Sequence, residues 1–213
     1  MEAKSTIART RPALLFVVAG PSGVGKRTVL AGVLETVPLL RLSVSVATRP
    51  PRDGELEGRD YWFATRAEFL QAVERNEFLE YAEYCDEYYG TRRQELEKAE
   101  RDGCDLVLEI EIKGARQVRA AAGDAVLVMI APPSREECQR RLELRGLDAP
   151  ERIAMRMAAF DREITAAPEF DYVIMNDDLD EAVQDLSAVI RAERARSAGL
   201  RWVAAMGYGV LRK

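Results

Sequence analysis

The sequence predicts an α/β fold, a parallel sheet flanked by helices, with an aromatic and proline-interrupted segment inserted among the core elements. Three observations carry this. An apolar strand pattern, a glycine-rich loop and a helical pattern follow one another through residues 14–37. Strand and helix patterns then alternate along the chain, as in a sheet with helices on both faces. Residues 125–131 form a continuous apolar run, the mark of a strand covered on both sides.

Residues 1–12 are polar and read as a flexible N-terminus, and 14–19 read as a buried strand. Beyond loop 20–26, Val29, Leu30, Val33, Leu34 and Val37 recur at helical spacing until Pro38. Residues 42–47 alternate Leu or Val with Ser, the period of a strand. Pro50 and Pro51 stiffen the charged loop that follows, since neither continues a helix or a central strand. Tyr61-Trp62-Phe63 reads as a short strand. Thr65 and Glu68 have the spacing of a capping box, heading a helix that buries Phe69, Leu70 and Val73. Residues 78–84 and 88–91 read as strand and turn, and 94–101 as a helix ended by Gly103.

Leu106, Leu108, Ile110 and Ile112 alternate with Val107, Glu109 and Glu111. That pattern predicts one strand with an apolar face and both carboxylates on the other. Pro132 and Pro133 end the 125–131 strand, and Ser134 caps a helix to about Arg145. A helix over 149–166, a strand over 172–175 and an amphipathic helix from Leu179 that stops near Gly199 complete the chain.

Composition narrows the function. The chain has 213 residues, enough for one buried core with insertions, and 47% hydrophobic with 31% charged residues is ordinary for a globular protein. A net charge of −5 argues against a nucleic-acid surface. Cys85, Cys104 and Cys138 are widely separated and lack C-x-x-C spacing, so neither a disulfide framework nor a zinc site is indicated. The absence of His excludes triads that depend on it. Lys4, Arg9 and Arg11 before a short apolar run mimic a signal peptide, but cleavage there would destroy the glycine-rich loop. No stretch approaches the roughly 20 apolar residues of a membrane span, so a cytoplasmic protein is expected.

Gly20-Pro21-Ser22-Gly23-Val24-Gly25-Lys26 fits the first seven places of the phosphate loop G-x-x-x-x-G-K-[ST]. Such a loop turns backbone N–H groups toward an anion at a helix start, with Lys26 reaching the outer phosphates of a nucleoside triphosphate. Arg27 departs from the pattern, standing where Ser or Thr offers magnesium a hydroxyl, and Thr28 comes one residue late.

Residues 20–28, Ser43-Val44-Ser45, the 48–55 loop, Gly58-Arg59-Asp60-Tyr61, residues 78–83, Tyr88-Tyr89-Gly90-Thr91, Glu109-Ile110-Glu111 and Asn176-Asp177-Asp178 together resemble guanylate kinases in order and spacing, over about residues 14–195. The resemblance implies a P-loop NTPase core (13–44, 96–134 and 157–198), a GMP-binding lobe (45–95), a helical lid (135–156) and a tail of unknown role (199–213). It implies transfer of the ATP γ-phosphoryl to GMP with Mg2+, and GMP and ATP as the partners. Gly20, Ser22, Gly23, Val24, Gly25, Lys26, Arg27, Thr28 and Asn176 would hold ATP. Ser45, Arg49, Arg52, Tyr61, Glu80, Tyr89, Thr91 and Glu111 would hold GMP. Lys26, Arg145 and Arg156 would be catalytic, while Arg140, Arg141 and Arg152 are read as solvated. Thr28, Glu109 and Glu111 would meet magnesium through water, with Glu111 standing where the family has Asp. Oligomeric state is left open. A different class, a guanylate-kinase-like module that binds a phosphorylated ligand without catalysis, would share the lobe; such modules typically lose the phosphate loop.

Overall fold

The computed structural model describes residues 13–84, 86–146 and 149–205. Expectations for residues 1–12 and 206–213 lie outside them. β1 (Leu15–Ala19) is the centre of a five-stranded parallel sheet. Around it stand β2 (Leu40–Leu42), β7 (Asp105–Glu109), β8 (Val126–Ala131) and β9 (Tyr172–Met175), in the order β2-β7-β1-β8-β9. Side chains of β1 alternate between two cores. Leu15, Val17 and Ala19 pack with Ala99, Ala115 and Val118 from helices α3 (Arg93–Arg101) and α4 (Ile112–Ala121). Phe16 and Val18 pack with Val29, Leu30 and Val33 of α1 (Lys26–Thr36), and with Ala182, Leu186 and Ile190 of α7 (Leu179–Ala205). Each fully buried Val, Leu or Phe contributes about 1.5–3 kcal/mol, which is why β1 carries no polar residue.

A second, four-stranded sheet is ordered β4-β3-β6-β5. It comprises β3 (Val46–Ala47), β4 (Trp62–Phe63), β5 (Phe78–Tyr84) and β6 (Glu87–Arg92), with α2 (Arg66–Glu74) packed on it through Phe69 and Ala72. The Thr65–Glu68 capping box is present. Helices α5 (Arg135–Arg145) and α6 (Pro150–Ile164) pack on each other through Cys138, Leu142, Met157 and Phe160. Among the described residues no helix is long and apolar enough to cross a membrane.

Several details differ from the sequence reading. The strand expected over 42–47 is two strands in two sheets, because the chain changes sheet between them. Ser43 N–H still donates to Val107 of the parallel sheet at 2.9 Å, while Ser45 already accepts from Trp62 of the second sheet at 2.8 Å. The strand expected to reach Ile112 ends at Glu109, since Glu111 is the N-cap of α4, a helix the sequence reading does not assign. Its two faces are both buried, with Val107 fully inaccessible opposite Leu106 and Leu108. Leu70 is exposed, and Ala72 takes its place in the buried face of α2. Helix α7 runs through Gly199 to Ala205; one internal glycine costs only about 1 kcal/mol.

Candidate active site

The carboxyl end of β1 leads into a loop whose shape the glycines permit. Gly20 has φ 145°, and a Cβ there would be driven into the Ile130 carbonyl oxygen. Gly25, in the left-handed region, starts α1 with no side-chain cap. The Thr28 N–H donates to the Gly25 carbonyl at 3.0 Å, while the N–H groups of Lys26 and Arg27 are left for an anion, reinforced by the helix dipole. Lys26 Nζ donates to the carbonyls of Gly20 (2.7 Å) and Pro21 (3.1 Å). An ammonium has three protons, so one is left for a phosphate.

Residues far along the chain hold this loop. Asn176 Nδ2 donates to the Val24 carbonyl at 2.7 Å, and Cys138 Sγ to that of Ser22 at 3.0 Å. Arg141 Nη1 reaches the carbonyls of Asn176 (3.0 Å) and Val24 (3.4 Å), and Arg156 Nη1 donates to Ser22 Oγ at 2.9 Å. Burial pushes the Cys138 thiol up to about 11, leaving it a protonated donor at neutral pH.

The loop opens onto a cavity of about 690 Å³. Across from it stands the second sheet. Arg49 is nearly buried and pairs in bidentate fashion with Glu55 (Nη1–Oε2 2.6 Å, Nη2–Oε1 2.7 Å), its guanidinium 4.8 Å from the Tyr61 ring centre. The hydrogen bond to Arg49 holds the Glu55 carboxyl below its ordinary range. Arg52, Tyr61, Tyr89 and Ser45 also line the cavity. Deeper in, Thr91 Oγ1 donates to Glu80 Oε1 at 2.7 Å. Glu80 is 4% exposed, and burial pushes its carboxyl up to about 7 against that hydrogen bond, with Glu111 adding like charge.

Of the residues singled out by sequence, Ser22, Gly23, Gly25, Lys26, Arg27, Thr28, Ser45, Arg49, Arg52, Tyr61, Glu80, Tyr89, Glu109, Glu111 and Arg156 line this one cavity. Gly20 and Val24 shape the loop, and Thr91 sits fully buried behind Glu80. Asn176 is buried against Val24 rather than facing the cavity. The Arg145 side chain lies outside the described residues. Arg141, read as solvated, instead lines the cavity, while its neighbour Arg140 turns outward onto Glu137. Sequence reasoning also missed Glu163 of α6. Burial raises its carboxyl pKa, and its Oε2 is buried with no hydrogen-bond partner among the described residues.

A phosphate loop and a buried carboxylate–threonine pair therefore face each other across one cleft. The guanylate kinase family model matches residues 12–193. The chain belongs to the guanylate kinase family. It is 51% identical over 183 residues to the guanylate kinase of a Thermus thermophilus strain, a match covering 86% of this chain and 83% of that one. Identity to the guanylate kinase of Synechococcus sp. strain JA-3-3Ab is 47% over 176 residues, covering 83% and 81%. The crystal structure of guanylate kinase from Anaplasma phagocytophilum aligns with a TM-score of 0.68 at 33% identity, covering 85% of this chain and 86% of that one. As in the guanylate kinase reading of the sequence, the fold is α/β with a parallel sheet between helices.

Proposed function

We infer that this guanylate kinase transfers the γ-phosphoryl of ATP to the phosphate of GMP, giving ADP and GDP, and that the residues above divide the work. The observation that carries the reading is that one cleft holds both a triphosphate loop and a carboxylate suited to guanine. Glu80, when ionised, accepts from the ring N–H and the exocyclic amine of guanine, Ser45 supplies a hydroxyl for its carbonyl, and Thr91, whose own proton goes to Glu80, holds that carboxylate in place. Adenine offers neither pattern, and a mismatch of buried polar groups of this kind discriminates by roughly 10⁴-fold.

In the transfer, the bond from the γ-phosphorus to the β–γ bridging oxygen breaks and one to a GMP phosphate oxygen forms. ADP leaves with the bridging electron pair. The attacking oxygen is already anionic at neutral pH, so no general base is required and the lack of His carries no penalty. Positioning and positive charge are what remain for the protein to supply. Lys26 and the loop N–H groups hold the donor phosphates. Arg49, set by Glu55, and Arg52 hold the acceptor phosphate with Tyr61 and Tyr89, guanidinium forks being matched to phosphate. Arg156, with Arg141 and Arg145, closes positive charge over the transferred group. Thr28, Glu109 and Glu111 offer oxygen donors of the type magnesium takes. Magnesium held there would supply positive charge to offset that of the donor phosphates. The division into core 13–44, 96–134 and 157–198, acceptor lobe 45–95 and lid 135–156 belongs to this proposal, as does a cytoplasmic location.

The test is ADP release from magnesium-ATP with GMP, AMP or UMP as acceptor. Strong turnover with GMP alone is expected, and Lys26→Ala and Arg52→Ala should each abolish most of it while remaining folded. Near-normal rates in either variant would refute the assignment of roles. The non-catalytic module is disfavoured by a phosphate loop that keeps Gly20–Lys26 and by the similarity of the chain to guanylate kinases.

A further inference from the structure

Resting on that reading, we propose that Arg27 is a positioning residue: through Asp60 it ties the donor-phosphate loop to the arm that presents the acceptor phosphate. Arg27 occupies the loop place where the motif has Ser or Thr, directly after Lys26. Its side chain extends along the cavity, and Nη2 donates to Asp60 Oδ1 at 2.9 Å, linking residues 33 apart in sequence.

Asp60 is a fixed anchor. Its Oδ2 accepts from the Leu56 N–H at 3.1 Å and from Arg59 Nε at 2.8 Å, so the carboxylate pins the 56–60 turn. That turn delivers Tyr61, whose ring lies 6.1 Å from that of Tyr89 and 4.8 Å from the Arg49 guanidinium. A run of direct contacts thus leads from the start of α1 to the acceptor-phosphate cluster: Arg27 to Asp60, Asp60 to the Tyr61 turn, Tyr61 to Arg49 and Tyr89.

The chemistry explains why an arginine suits this place. Phosphoryl transfer depends on the spacing between donor and acceptor oxygens, and a serine hydroxyl is too short to span the cleft. With Arg27 about half exposed and Asp60 largely shielded, an ion pair of this kind supports roughly a two- to fivefold effect.

The experiment is a double-mutant cycle with Arg27→Ala, Asp60→Asn and the pair combined. GMP affinity is measured by calorimetry with a non-hydrolysable ATP analogue bound, KM values by steady-state kinetics, and folding by thermal unfolding. Each single variant should weaken GMP two- to fivefold. The combined variant should be no worse than the weaker single, and Asp60→Asn should leave the KM for ATP in place. Losses that multiply in the combined variant would overturn the proposal. So would an Arg27→Ala effect confined to the KM for ATP, which would place the arginine on the donor phosphates instead. A wild-type protein that binds no GMP would overturn the guanylate kinase reading and this proposal with it; a wild type that binds and turns over GMP while the cycle is additive would overturn this proposal alone.

Discussion

Replacing Glu80 by Gln tests the acceptor site through stability as well as activity. Glu80 is 4% exposed, and its carboxyl is pushed up to about 7 from an ordinary 4.5, first by burial. A raised carboxyl pKa means that the folded state binds the proton more tightly than the unfolded state does. Its contribution is therefore most favourable at low pH, declines as pH rises from about 4.5, and is fully lost above about 7. The rise corresponds to about 3 kcal/mol. Glutamine keeps an oxygen to accept from Thr91 and never ionises. In urea titrations from pH 4.5 to 8.5, the wild type should lose about 3 kcal/mol relative to Glu80→Gln, so that the variant is the more stable protein in mild alkali. GMP binding needs the ionised form, so the wild-type KM for GMP should also climb as pH falls through about 7. Parallel stability curves for the two proteins would refute the assignment of an elevated Glu80 pKa and with it the argument that burial dominates there.

Three further outcomes are expected. Asp105 is fully buried, accepting from the Leu14 N–H at 2.9 Å and from Arg194 Nε at 2.7 Å, so Asp105→Ala should cost about 3–5 kcal/mol in chemical denaturation. Thr65→Ala removes the capping box of α2 and should cost about 1 kcal/mol, lowering Tm by a few degrees without altering turnover at 25 °C. Gly20→Ala combines a positive φ with a collision against the Ile130 carbonyl and should yield a protein that fails to retain a nucleoside triphosphate in filter binding, even where circular dichroism shows native helix content.

The parts of the molecule legible in the sequence are those specified locally. The β1–loop–α1 unit, the Thr65 cap and the doubly buried β8 each depend on neighbours a few residues away, and each is where its pattern places it. The misreadings arise where a pattern outlives its element. Alternation persists from Leu42 to Ala47 because both pieces are extended, yet they hydrogen-bond into different sheets. The apolar spacing of strand β7 runs on by coincidence into Ile110 and Ile112, which hid the start of α4. Arg140 and Arg141 are adjacent arginines on one helix, about 100° apart around its axis. Which of them meets the phosphate loop depends on how α5 is seated, and no local signal encodes that.

The tethers on the phosphate loop also have a meaning for how the chain acquires its shape during synthesis. The loop at residues 20–26 leaves the ribosome before the groups that clasp its carbonyls, which belong to Cys138, Arg141 and Asn176. Both strands that border β1 also come from later in the chain. Long-range closures of this kind are slow because loop entropy must be lost before any contact compensates. The loop therefore takes its final form only once these later segments have been translated and have docked against it.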